Sequence, residues 1–124
     1  MHEHIETSQA PAAIGPYSQA IQAGSLLFVS GVMPIDPATG ELVEKDVAVQ
    51  ARQIMSNVDA VLSAAGYTVD DVVKTTCFLA DIADFGAFNE VYASYFTSKP
   101  ARSCVAVRDI PKGALVEVEL IASK

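Results

Sequence analysis

The stretch Pro100-Ala101-Arg102-Ser103-Cys104-Val105-Ala106-Val107-Arg108-Asp109-Ile110-Pro111-Lys112-Gly113-Ala114-Leu115-Val116-Glu117-Val118-Glu119 decides how this chain is read. It describes two strands around a turn. Val105 and Val107 alternate with smaller residues, and Ile110-Pro111-Lys112-Gly113 breaks the run. From Leu115 to Ile121, apolar residues resume and alternate with Glu117 and Glu119. Val116, Val118 and Leu120 fall on one face. Leu115, Glu117, Glu119 and Ile121 fall on the other, a mixture that suits a subunit interface better than open solvent. Arg102 opens the first strand, and its planar fork fits a carboxylate bidentately. Glu117 stands between two valines. If that face is covered the carboxyl is partly desolvated and can handle protons.

Upstream, residues 1–15 read as irregular, punctuated by Pro11 and Gly15-Pro16. Pro16 to Gln22 and Leu26 to Ser30 read as a hairpin about Ala23-Gly24-Ser25, ended by Ser30-Gly31. Glycine at that point allows close backbone approach. Pro34 to Gly40 is a loop. Asp46 is suited to cap a first helix, whose apolar stripe runs Val47, Ala51, Ile54, Val58, Val61, Leu62, Ala65 before Gly66 stops it. Its other face, with Gln50, Arg52, Gln53, Ser56, Asn57 and Ser63, suits solvent. Val72 to Ala80 is a central strand. Asp84 is read as the cap of a second helix, with Phe85, Phe88, Tyr92, Tyr95 and Phe96 as a core-packing aromatic stripe. The order hairpin, helix, strand, helix, two strands predicts a single α+β domain over residues 1–124, with one mixed sheet and both helices on one face.

The 51% hydrophobic content is high for a chain with no run long enough to span a bilayer, and it predicts surface buried on oligomerisation. A net charge of −7, with eight dispersed basic residues, argues against a nucleic-acid partner. No charged n-region precedes an apolar h-region, so no secretory signal is expected and the expected location is cytoplasmic. Cys77 and Cys104 read as buried thiols rather than a disulfide. His2 and His4 lack partners at metal-ligand spacing, and no nucleotide-binding fingerprint is present, so no metal or cofactor is expected. With both histidines terminal, no Ser-His or Cys-His pair can be built. Chemistry is left to arginine, glutamate, hydroxyls, backbone groups and water.

Three blocks then resemble one family: Ala10-Pro11-Ala12-Ala13-Ile14-Gly15-Pro16-Tyr17-Ser18-Gln19-Ala20, then Phe28-Val29-Ser30-Gly31, then Pro-Ala-Arg-Ser-Cys from Pro100 with Pro-Lys-Gly-Ala-Leu-Val-Glu-Val-Glu from Pro111. This is the signature of the Rid proteins, the YjgF-like reactive-intermediate deaminases, and the likeness runs from about Ala10 to Ala122. The resemblance implies a chorismate-mutase-like fold and a homotrimer with sheets around a central barrel. It also implies three sites in clefts between subunits. By the same resemblance Arg102 binds a carboxylate and Glu117 positions and activates water. Tyr17, Ser30 and Gly31 line the cleft, Asn89 closes it from the neighbouring subunit, and Cys104 contributes its main chain. The run from Tyr95 to Pro100 is shorter than in common members and carries Lys99 where many have an aromatic, at a segment that borders the cleft.

The implied reaction is hydrolysis of 2-imino acids, the tautomers of 2-aminoacrylate and 2-aminocrotonate. It yields pyruvate or 2-oxobutanoate plus ammonia and so protects pyridoxal-phosphate enzymes. No cofactor is implied; the partners are a small 2-imino or 2-oxo acid and other copies of the chain. Two other readings belong to different classes. One is a binding module for 2-oxo acids or small amino acids without turnover. The other is a holdase chaperone or a translation-inhibiting ribonuclease, and the negative charge weighs against RNA cleavage.

Overall fold

A computed structural model describes residues 2–124. A six-stranded sheet has the order β1 (Glu3–Ile5), β2 (Ala20–Ala23), β3 (Leu26–Val32), β8 (Val116–Ser123), β6 (Val72–Leu79), β7 (Ala101–Ala106). Every neighbouring pair is antiparallel except β6 and β7, so the sheet is mixed. The exception follows from the connection: helix α2 (Phe85–Tyr95) carries the chain from β6 to a parallel neighbour. The two C-terminal strands are therefore joined by the turn at Pro111–Gly113 but do not pair. β6 lies between them. A short ribbon, β4 (Ile35–Asp36) with β5 (Glu41–Leu42), begins inside the expected loop and ends just beyond it, outside the main sheet.

Helix α1 (Val47–Ala65) begins and ends where its sequence signals stand. The Val49 N–H donates to Asp46 Oδ1 at 3.0 Å. Gly66 takes φ 80°, which glycine adopts without Cβ strain. Its N–H donates to the Ser63 carbonyl, and Tyr67 N–H to that of Leu62, a Schellman ending. The Lys124 ammonium donates to the Gly66 carbonyl at 2.6 Å, tying the C-terminus to the helix end. Ile54, Val58 and Leu62 are fully buried, each contributing about 1.5–3 kcal/mol through apolar burial.

Several local expectations are corrected. Gln50 and Asn57 are buried, not solvated: Gln50 Oε1 accepts from Leu115 N–H, and Asn57 Nδ2 donates to the Met33 and Ile35 carbonyls. Both tie α1 to segments whose backbone groups would otherwise be orphaned. Asp84 makes no side-chain cap. Asp81 does, accepting from Ala83 N–H at a short 3-10 turn that feeds α2. The hairpin strand starts at Ala20 rather than Pro16, and β1 pairs with it from a segment read as irregular. Leu115 packs against the core instead of facing outward with Glu117.

Both helices cover one face of the sheet, where Leu27, Val29, Val118 and Leu120 are buried. The other face carries Phe28 and Val105, which stay 43% and 46% exposed, beside Glu117 and Glu119. Ser30 and Gly31 do not end their strand. They lie at a β-bulge where β3 advances three residues (Val29 to Val32) against two on β8 (Leu120 to Val118).

Candidate functional site

Two groups of side chains stand out, and they occupy opposite faces of the sheet. The first surrounds an open cavity of about 740 Å³ bordered by Tyr17, Ser30, Gly31, Lys112, Glu117 and Glu119. The bulge explains why it can form. A side chain at Gly31 would overlap Glu117 Oε2, so only glycine lets the β3 backbone come this close to the carboxylate. Glu117 is half-buried, and burial pushes its carboxyl above the usual range, with a smaller push from the Glu119 charge.

Ser30 is locked from behind. Its Oγ donates to the Ser18 carbonyl at 2.6 Å and its N–H to the Gln19 carbonyl at 3.0 Å. Tyr17 is exposed at the cavity edge on a segment anchored by Gln19, whose buried amide bonds Thr7 N–H and the Thr7 and Pro11 carbonyls. In sequence Gln19 and Glu119 look like polar members of alternating strands; only the folding of distant segments onto them brings them to the site.

The second group centres on Arg102. The guanidinium donates from Nη1 to Asn89 Oδ1 at 2.7 Å and lies 4.6 Å from the Tyr92 ring centroid and 5.5 Å from that of Phe85. Among the described residues it has no carboxylate partner; the one ion pair, Arg108 with Asp109, is exposed. Asn89 thus joins Arg102 within one chain. Cys104 lies two residues along on the same face, in register with Cys77. Both thiols are free. Burial raises the Cys104 thiol despite the nearby Arg102 charge, and Cys77 is pushed up to about 12, mainly by burial. Neither is an activated nucleophile.

The strand register fixes the relation of the two groups. Arg102 pairs with Thr75 and Thr75 with Leu120, all toward the helices. Glu117 pairs with Phe78 and Phe78 with Val105, all toward the open face. One chain cannot bring Arg102 and Glu117 onto one small molecule through the sheet. Two copies can, if the helix side of one meets the open face of another.

Comparison with known proteins agrees on one family. The model described as Endoribonuclease L-PSP matches residues 7–124. A RutC family protein of Pyrococcus horikoshii is 54% identical over 125 residues, covering 100% of this chain and 99% of its own length. The 2-iminobutanoate/2-iminopropanoate deaminase of Salmonella typhimurium is 48% identical over 126 residues, with 98% of each covered. The crystal structure of a protein of the conserved Rid family from Yersinia pestis superposes with a TM-score of 0.97 at 52% identity, covering 100% of both chains.

Proposed function

The chain belongs to the endoribonuclease L-PSP family, the Rid or YjgF-like proteins, and on that footing we propose that it hydrolyses 2-imino acids to 2-oxo acids and ammonia. The observation that carries the reading is the Arg102 guanidinium, fixed by Asn89 yet free of any carboxylate among the described residues. A planar fork with unused N–H groups suits a small carboxylate. The formal charge of −7 favours a small acid held by one local cation over a phosphate backbone.

The active assembly is a homotrimer with each site between two copies, one supplying Arg102 and Asn89, the other Tyr17, Ser30, Gly31 and Glu117. The uncovered sheet face with Phe28 and Val105 supports burial against another copy. Arg102 holds the substrate carboxylate. Glu117 takes a proton from water as the water oxygen bonds to the carbon of the protonated imine, giving a carbinolamine. Glu117 returns that proton to the amino nitrogen, the C–N bond breaks and ammonia leaves. Glu117, ionised again, accepts the hydroxyl proton as the C=O forms. A carboxyl raised toward neutrality suits both transfers, each typically worth about 10²–10⁴-fold. Orientation by Arg102 adds to this. The Tyr17 hydroxyl, exposed at the cavity edge, can donate to substrate or water.

The test is turnover of 2-aminoacrylate generated in place by a pyridoxal-phosphate dehydratase. Purified protein is expected to shorten its lifetime in proportion to the amount added. Binding of 2-oxobutanoate with no change in that lifetime would favour a sensor instead.

A further inference from the structure

Phe85, Asn89 and Tyr92 stand four and three residues apart on α2, so they form one stripe of the helix. Arg102 lies against all three. Phe88 and Phe96 are buried in the core, whereas Phe85 packs against the core only in part and carries the Arg102 guanidinium over its ring. Tyr92 is itself fixed: its hydroxyl shares a 2.7 Å hydrogen bond with Thr75 Oγ1. Thr75 is fully buried, and it is the residue in register with Arg102 on the neighbouring strand. The chain of contacts therefore closes on itself, from Arg102 to the Tyr92 ring, through the hydroxyl to Thr75, and across the strand pair back to Arg102. A long, rotamer-rich side chain on an edge strand is held at its backbone, on both aromatic neighbours and at one Nη.

We propose that Phe85 and Tyr92 are positioning residues: they hold the Arg102 guanidinium in one orientation, so that the N–H groups Asn89 does not use face a ligand carboxylate together. This rests on Arg102 being the carboxylate clamp of the proposed function. Neither ring needs to touch substrate. Their effect is to remove rotamer freedom that binding would otherwise have to freeze.

The experiment is calorimetric titration with 2-oxobutanoate of wild type, Phe85→Leu, Tyr92→Leu and Tyr92→Phe, each repeated with Arg102→Lys. Losing the Tyr92 ring is expected to weaken binding about tenfold, with a smaller loss for Phe85→Leu and for Tyr92→Phe, which keeps the ring. With Arg102→Lys already present, the same changes should weaken binding little further, because their effect runs through the guanidinium. Equal losses in both backgrounds, or none in either, would overturn the proposal. Phe85 is half-buried, so Phe85→Leu keeps the test open should Tyr92→Leu fail to fold. Relaxation of the Arg102 Nε–H resonance gives a readout free of ligand. It should be ordered in wild type and averaged in Phe85→Leu; equal order in both also overturns the proposal. Wild type that binds the oxo acid without hydrolysing imine would end the deaminase reading and leave this test intact.

Discussion

Gly31 and Glu117 are so close across the β3 bulge that a Cβ at position 31 would collide with the carboxylate, with Glu117 Cδ only 3.0 Å away. The colliding atoms are the far end of a flexible side chain, so the fold can yield at little cost by turning Glu117 aside. On the proposed mechanism the site cannot, because a displaced carboxylate would no longer hold the attacking water.

Gly31→Ala should therefore separate stability from activity. The backbone of Gly31 is not left-handed, so alanine fits it. The thermal midpoint is expected to stay within a few degrees of wild type, while kcat/KM falls by about 10²-fold through misplacement of the base. Paired melting curves and imine-hydrolysis kinetics check this. Unchanged turnover would mean that Glu117 does not act from its present position.

Glu117 should also set a pH dependence. Its pKa is raised, by burial first and by Glu119 second. As the base it must be ionised, so kcat/KM should rise with pH through a limb displaced above the ordinary carboxyl range. Glu119→Gln removes a neighbouring negative charge and should move that limb to lower pH. For stability the sign is the reverse of a salt-bridged acid. The folded chain holds this proton more tightly than the unfolded one, so the contribution is complete below the unfolded pKa and is lost as pH rises through the folded value. Glu117→Gln is accordingly expected to be more stable than wild type at neutral pH and no more stable in acid. Calorimetric melts across pH check it.

Cys104→Ala should keep most of the activity. Burial raises the thiol pKa against the pull of Arg102, and the proposed mechanism gives the sulfur no part. Loss of turnover with assembly intact would restore a role for sulfur.

Assembly is checked on the open face. Leu115, although next to Glu117, packs into the core and is a poor probe. Phe28 is the better one, 43% exposed on the uncovered side. Wild type should scatter light as a species of about 39 kDa, three times the 13.1 kDa chain, and Phe28→Asp as smaller species. A wild-type monomer would leave Arg102 and Glu117 on separate faces with no shared substrate.

Much of the fold was legible because its signals are local. Asp46, the three- and four-residue steps from Val47 and Gly66 mark α1 to the residue, and the alternation of Val116, Val118 and Leu120 marks the buried side of β8. Pairing was less so. Nothing local in residues 100–121 says that β6 inserts between the last two strands, since that depends on the crossover through α2. The candidate site residues were named from motif resemblance, and the opposite facing of Arg102 and Glu117 comes from inter-strand register, which no motif shows. The cradle of Phe85, Asn89 and Tyr92 stayed hidden because an aromatic stripe reads equally well as core.

The most direct measurement mixes two inactive variants. Arg102→Lys keeps the charge but loses the fork, and should lower kcat/KM about 10²-fold; Glu117→Gln removes the base. Neither should act alone. If each site takes Arg102 from one copy and Glu117 from another, refolding the two together at equal amounts should restore activity to about one quarter of wild type, the share of sites that random mixing makes whole. A mixture no more active than the sum of its parents would contradict a site shared between copies.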